Sequence, residues 1–473
     1  MEKTSVRIEN ILIQGFKNVV NGQVALANPR KLYGANILGV YGQNGSGKTA
    51  LIDAIELLRL ALCGHSIPEK FADFINVDMP GATLKYQFNI QRGAETYLVS
   101  YEFRIQKQTE NSLSNTTHPT HESSRSRVVL LDEVLSYSFA AGDEKRKTET
   151  LISTKTPDVF VPKSKYSLLI GMDRTKNRDL LVAKKLASTT SRSFLFSKEL
   201  LQTIRDSGKK LTGEFARHLF VLESLVSFGN FELFVINTAN SGLISMNALP
   251  LSFKYEENNV GASGSLMLPL DHAFMYPQEM LEVAKKVIQN MNIVLTQIVP
   301  GLTIGMRELG HQLLHNGSTG VLIQLVSCKN NQEIALQYES EGIKKIISVL
   351  QLLIGVYNRH SLTVAIDELD AGIFEYLLGE ILRILSEKGK GQLIFTSHNL
   401  RPLETLDRGF IAFTTTNPVN RYIRMTNVKG NNNLRDFYYR DIMLGEQKET
   451  VYAPTNNYEI ALAFREAGDA NGS

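Results

Sequence analysis

Hydrophobic and polar positions alternate near the start of the chain, repeat at helical spacing in the middle, and switch between the two towards the end. Val6-Arg7-Ile8-Glu9-Asn10-Ile11-Leu12-Ile13 alternates as a half-buried strand does. Gly15-Phe16-Lys17-Asn18 turns it, and residues 22–26 are expected to pair back. Ile37-Leu38-Gly39-Val40-Tyr41 is a short apolar run and predicts a buried strand. After it, Leu51, Ala54, Ile55, Leu58 and Leu62 recur at helical spacing, predicting a helix that packs one face on a sheet. Residues 84–90, 97–103 and 128–139 return to the strand pattern. Between them, residues 106–127 are rich in Ser, Thr, Asn, Gln and His and read as a long exposed loop. Residues 1–155 are thus expected to form an N-terminal β-rich lobe.

Residues 156–300 change character and read as a largely helical insertion. Leu180, Leu181 and Ala183, then Leu200, Leu201 and Ile204, then Phe215, Leu219, Leu222 and Leu225 suggest three helices. Residues 276–299 give the clearest one, with Met280, Ala284, Val287, Met291, Val294 and Ile298 on a stripe. Pro277 suits its first turn and Pro300-Gly301 stops it. Such a stripe serves an arm or packing lobe, or a docking surface. Residues 301–473 read as a C-terminal lobe. It opens with alternating strands and continues as helix 342–357, strand 362–366, helix 373–386, strand 393–396 and strand 410–413. This βα alternation needs crossovers and predicts a mainly parallel sheet.

The strand 37–41 runs into Gly42-Gln43-Asn44-Gly45-Ser46-Gly47-Lys48-Thr49, and the helix follows at once. Strand, glycine-rich turn and helix is the context of a P-loop. The glycines let backbone N–H groups close round a polyphosphate, at the positive end of the helix dipole. Lys48 is expected to reach the β/γ-phosphates and Thr49 to ligate Mg²⁺. Strand 362–366 ends in Asp367-Glu368. Asp367 is placed to hold Mg²⁺, and Glu368 to take a proton from an attacking water. One βα unit later, strand 393–396 leads to His398. Adjacent parallel strands share a crevice at their carboxyl ends, so His398 is expected at the γ-phosphate. Glu339-Ser340-Glu341-Gly342 opens the helix before the acidic strand, with Ser340 as N-cap and Gly342 allowing close backbone approach.

P-loop, Ser-x-Gly helix start, acidic strand end and strand-ending histidine, in that order, resemble the ABC-type ATPases, the group that includes SMC proteins and DNA-repair ATPases. The resemblance implies an α/β, ABC-type P-loop ATPase fold: a β-rich lobe plus a mainly parallel RecA-like sheet, with a helical insertion. It implies ATP and Mg²⁺ as cofactors. It also implies that Ser340 and Gly342 complete the P-loop of a second copy, with Asp370 in the loop that crosses the interface. A homodimer or higher homo-oligomer held by ATP-sandwich interfaces follows. For the family's Q-loop glutamine, Gln87 is a candidate. The Glu-Ser-Glu-Gly signature and medium-sized insertion are similar to the OLD group and to ATPase subunits of bacterial anti-phage systems, the AriA type of PARIS first and the PtuA type of Septu next. That likeness implies a slow ATPase serving as sensor or scaffold, a separate toxic TOPRIM-type nuclease partner, and a phage-encoded trigger protein. The alternative is an SMC-like DNA repair or recombination ATPase; a scaffold that merely binds ATP is a further one.

Composition narrows this only a little. The 473 residues suggest about two to four lobes. A formal net charge of +3 announces no dominant nucleic-acid surface. Cys63 and Cys328 give neither a disulfide framework nor a metal knuckle, which fits a reducing cytoplasm. No signal peptide is evident, and no apolar run nears the ~18 residues that span a membrane. Replacing the lysine of the P-loop, Lys48→Ala, is expected to abolish nucleotide binding; an equilibrium titration with ATP in which Lys48→Ala binds as tightly as the unaltered chain would refute the P-loop reading.

Overall fold

The computed structural model describes the whole chain except residues 1–3, 31–32, 110–125, 208–212, 238–247, 258–259, 314–316, 331, 427–432, 446 and 470–473. Its first sheet is antiparallel. It is built from β1 (Thr4–Phe16), β2 (Val19–Ala25), β4 (Ala82–Arg92), β5 (Glu95–Thr109), β6 (Ser126–Ala141) and β7 (Glu144–Ser153), in the order β2-β1-β4-β5-β6-β7. The predicted pairing of the first two strands is present, with Ile11 opposite Val24. Of the expected loop at 106–127, Gln106 to Thr109 and Ser126 to Arg127 continue the β5–β6 ladder, because their backbones pair in register whatever their side-chain polarity. The remainder of that loop lies outside the described residues.

The second sheet has the order β18-β17-β3-β16-β15-β8. Its strands are β3 (Asn36–Tyr41), β8 (Leu233–Ile236), β15 (Thr363–Ile366), β16 (Gln392–Thr396), β17 (Ile411–Thr414) and β18 (Tyr422–Ile423). All its pairings are parallel except β17 with β18. The strands are short and apolar on both faces, as buried parallel strands are. Strand β8 is the surprise. It belongs to the stretch that reads as a largely helical insertion, yet it is a strand of the parallel sheet, beside β15.

Helix α1 (Lys48–Leu62) lies between the two sheets. Eleven of its fifteen residues are buried, on every side of the helix. Its apolar residues share a core with Ile11 and Ile13 of β1 and with Val40, Ala365, Ile394 and Ala412 of the parallel sheet. The expectation of one packed face is too modest: a helix hydrophobic all round is one that is covered all round. The other face of the parallel sheet (Ile37, Val364, Ile366, Leu393, Phe395) packs on α7 (Glu341–Asn358) and α8 (Glu375–Lys388).

Helices α2 (Lys163–Leu169), α3 (Arg174–Thr189), α4 (Lys198–Arg205) and α5 (Gly213–Phe231) contribute to the α1 core. Helix α6 (Gln278–Ile298) packs on a small antiparallel sheet of β11 (Phe274–Pro277), β12 (Thr303–Leu313), β13 (Thr319–Lys329) and β14 (Gln332–Ala335). It buries Leu281, Ala284, Ile288, Met291 and Leu295. The expected stripe is therefore rotated: Met280, Val287, Val294 and Ile298 are only half-buried at its edge. A hairpin of β9 (Ala248–Glu257) and β10 (Val260–Pro269) precedes it, and the short α9 (Pro402–Thr405), then α10 (Leu434–Leu444) and α11 (Asn457–Asp469), follow later in the chain.

The two main sheets are stitched by polar side chains rather than by apolar packing alone. Buried Gln392, at the start of β16, accepts from the Ile8 N–H at 2.7 Å and donates to the Ile8 carbonyl at 2.8 Å. It also accepts from Thr363 Oγ1 at 3.0 Å. Ser361 accepts from the Val6 N–H at 2.9 Å. These bonds fix β1 across the end of the parallel sheet. Gln392→Leu keeps the bulk and strands the Ile8 N–H and C=O, so it is expected to cost about 2–4 kcal/mol; urea unfolding compared with the unaltered chain measures it, and a difference below about 0.5 kcal/mol would show that the stitch carries no weight.

Candidate functional site

The P-loop sits where β3 hands over to α1. Gly47, the N-cap of α1, has φ +99°, and a Cβ there would come within 3.1 Å of Asn18 Oδ1. No side chain caps this helix, so its first-turn N–H groups face the loop. Gly42 and Gly45 are also left-handed. The loop is held from outside by residues that no sequence motif marks. Asn18 donates to the Gly45 carbonyl, Tyr422 OH donates to the Gly47 carbonyl at 2.8 Å, and Ser46 Oγ contacts Thr414 Oγ1. Gln43 Oε1 accepts from the Ala453 N–H at 2.9 Å, while Asn44 is exposed.

Lys48 is buried and curls back on the loop. Its ammonium donates to the carbonyls of Gly42 at 2.9 Å and Gln43 at 3.1 Å. Burial pushes its pKa down, and the carboxylates of Asp367, Glu368 and Asp370 pull it back up. Lys48 and the acidic strand end therefore share one electrostatic neighbourhood. Thr49 is half-buried in the first turn of α1.

The topology explains the neighbourhood. Strand β16 lies between β3 and β15, with Val40 opposite Thr396 and Ile366 opposite Phe395. Thr396, the last residue of β16, donates its hydroxyl to Asp367 Oδ1 at 2.5 Å and accepts from the Glu368 N–H at 2.8 Å. Asp367 is buried; Glu368 is half-buried and has φ +49°. A glutamate in the left-handed region is held there at some cost, and Thr396 is what holds it. Asp370 Oδ2 accepts from the N–H groups of His398 at 3.1 Å and Asn399 at 3.0 Å. Its other oxygen is buried without a hydrogen-bond partner among the described residues. The His398 side chain itself is exposed.

Ser340 caps α7 as expected, accepting from the Ile343 N–H at 3.3 Å, and is exposed. Gly342 does permit a close approach, and the neighbour is within the same chain. A Cβ on Gly342 would fall 2.3 Å from the Gly372 carbonyl oxygen. The Ser340–Gly342 turn thus rests on the loop that carries Asp370. One turn on, Lys345 is buried; burial lowers its pKa, against the pull of Asp370, Glu368 and Asp367. Only its place on the inner face of α7 signals it in the sequence.

Gln87 does not belong to this site. It lies in β4 of the antiparallel sheet, exposed, accepting from Asn10 at 3.2 Å. The amide that does flank the acidic strand end is Asn237, buried directly after β8, where Ile236 pairs with Ile366. It donates to Glu56 and, at 3.5 Å, to Asp53 of α1. Burial raises the Asp53 pKa, opposed by the ion pair with Lys17. Nothing in the sequence marks Asn237, because β8 is not legible there as a strand of this sheet.

The donor set fits a nucleotide and a divalent cation: an uncapped helix N-terminus behind a left-handed loop, a buried lysine on loop carbonyls, a threonine and a buried aspartate. Among the described residues no helix is long and apolar enough to cross a membrane. Thr396→Val is expected to free Asp367 and release Glu368 at a cost of about 1–3 kcal/mol in unfolding free energy, read by urea unfolding, with Thr396→Ser restoring it; equal stability in Thr396→Val would show that the hydroxyl holds nothing of consequence.

Residues 10–224 match the family model described as AAA domain. Over 176 residues the chain is 26% identical to a component of the nuclease SbcCD of Clostridium acetobutylicum, a stretch covering 36% of this chain and 14% of that protein. The SMC head domain from Thermotoga maritima aligns over 89% of this chain and 99% of its own, at 12% identity and a TM-score of 0.35. The recombination mediator protein RecF with ATP aligns over 84% of this chain and 94% of its own, at 16% identity and a TM-score of 0.34. Residues 10–224 are thus similar to the AAA domain, and the order of the motifs with the two stacked sheets gives the chain an α/β, ABC-type P-loop ATPase fold.

Proposed function

We propose that the protein binds ATP and hydrolyses it slowly, as a switch that closes two copies head to tail. The observation that supports this best is that the loop carrying Lys48 and the acidic end of β15 lie at one edge of the parallel sheet, on either side of β16, whose Thr396 bonds Asp367. Lys48 leaves the Gly42 and Gln43 carbonyls for the β/γ-phosphates, which answer its charge better than two dipoles do. Thr49 and Asp367 are the residues that would hold Mg²⁺. The bound ion neutralises charge on the phosphate oxygens. Glu368 takes the proton of the attacking water, its carboxylate aimed by the left-handed backbone that Thr396 fixes. Gln43, Asn44, Gly45, Ser46 and Gly47 supply backbone N–H groups. His398 stands at the same crevice as a γ-phosphate contact.

Exposed Ser340, with Gly342, acts on the nucleotide of the second copy. Closure needs a contact made only when the γ-phosphate is present, since a ligand shifts an equilibrium only by its differential affinity. Asp370 then couples the closing interface to His398, through the two backbone bonds described above. The Ser-Glu-Gly signature and the insertion favour a defence complex in which this ATPase restrains or releases a separate TOPRIM-type nuclease when a phage protein is sensed. A second reading, ATP-driven DNA repair or recombination, is favoured by the likeness to a component of the nuclease SbcCD. Tight, salt-dependent DNA binding that stimulates hydrolysis selects the second reading.

Glu368→Gln is expected to bind ATP, fail to turn it over, and accumulate as an ATP-bound assembly on size-exclusion chromatography with light scattering. Hydrolysis by Glu368→Gln at the unaltered rate would remove Glu368 from the role of base. Lys48→Ala and Ser340→Arg chains are each expected to be inactive alone, and their mixture to regain at most one composite site per dimer. If both single variants hydrolyse ATP normally, the head-to-tail arrangement is wrong.

A further inference from the structure

Helix α11 leaves the rim of the P-loop and lies in the open. The chain before it is tied down. The Thr416 N–H donates to the Thr450 carbonyl at 2.7 Å, Val451 is buried, and the Ala453 N–H donates to Gln43 Oε1 at 2.9 Å. Residues 453–468 are all exposed. Yet α11 is not a solvent helix. Tyr458 and Phe464 are 77% and 78% exposed, Ile460 and Leu462 join them, and Ala461 and Ala463 fill the turns between. An isolated helix of 13 residues is marginal in water, and one that is apolar on most sides belongs under cover.

A second apolar surface stands beside the signature. Tyr338, two residues before Ser340, is 76% exposed; Phe374, two residues after Gly372, is 71% exposed. Gly342 and Gly372 touch, so the segments that carry Tyr338 and Phe374 meet there. Both apolar surfaces are exposed in the single chain. A head-to-tail closure sets the P-loop rim of one copy against the signature of the next. It therefore brings the root of α11 to this aromatic flank.

We propose that α11 of one copy docks on the flank of Tyr338 and Phe374 of a second copy, as an arm that strengthens the ATP-closed dimer. This rests on the head-to-tail reading above. Because its leader is bonded to Gln43, the arm is also attached to the loop that takes the phosphates. Its position then depends on whether Gln43 keeps its partners once Lys48 has moved.

The test uses the full chain carrying Glu368→Gln, with ATP and Mg²⁺, and reads the dimer dissociation constant by light scattering over a concentration series. Adding Leu462→Asp and Phe464→Asp, both at exposed positions, is expected to weaken the dimer at least tenfold. Binding of a fluorescent ATP analogue by the monomer stays unchanged. Phe374→Asp is expected to weaken the dimer to a similar degree, and combining all three changes to add little, since contacting residues are not additive. An unchanged dimer constant with the α11 changes overturns the arm and leaves the sandwich standing. So does full additivity with Phe374→Asp, which means that the two surfaces do not meet. If Glu368→Gln itself stays monomeric with ATP, the head-to-tail reading falls and the arm with it.

Discussion

The burial of α1 on all sides is the constraint on which the rest of this molecule depends. A helix clamped between an antiparallel and a parallel sheet cannot tilt or slide, because each face meets a different packed layer. Its N-terminus is thereby fixed at the carboxyl edge of β3, next to β16 and one strand from β15. The positive end of its dipole, the Lys48 ammonium and the acidic end of β15 are brought together as a consequence of packing. The polar stitches at Gln392 and Ser361 serve the same end. They lock β1, and so the antiparallel layer over α1, to the far end of the parallel sheet.

From that fixed edge the contacts run outward in a connected path. Thr396 joins Asp367 to the Glu368 backbone; Asp370 joins the next turn to the backbone at His398; Gly372 lies against Gly342 at the head of α7. The last of these is a backbone-on-backbone contact too tight for a Cβ. A displacement of the signature helix cannot be absorbed there by a side chain and must be passed on to the Asp370 turn. Lys345, buried on the same helix within the field of the three carboxylates, adds charge to that mechanical link. A surface touched from outside at Ser340 is thus a short, stiff distance from the residues proposed to do the chemistry.

Much of this is legible in the sequence, and what is hidden has common causes. The P-loop, the acidic strand and the Ser340 cap are local patterns, with chemistry and geometry within a few residues. Strands β3, β15, β16 and β17 announce themselves by continuous apolar runs. Strand β8 does not, because Leu233–Ile236 is four residues long and follows directly on the apolar helix α5. With β8 hidden, Asn237 has nothing to mark it, and Gln87 is the amide that stands out in its place. Thr396, Gln392, Asn18 and Tyr422 are hidden for a different reason. Their roles come from register and layer stacking between segments far apart in the chain, which no window along it can report.

The hidden group is also the group that sets the resting state of the loop. Gln43 is held twice: its carbonyl by Lys48 and Ser46, and its side chain by the Ala453 N–H. Lys48 in this arrangement is a buried cation satisfied mainly by carbonyl dipoles, with the nearest carboxylates acting through space rather than by contact. Such a cation is held in readiness rather than at rest, because charge-assisted bonds to an anion exceed those to neutral acceptors. On the proposed reading the P-loop carbonyls stand in for a phosphate, and an arriving polyphosphate would displace a protein contact as it makes its own. The chain segment at Ala453, bonded to the Gln43 side chain, is tied to the same residue whose carbonyl Lys48 holds.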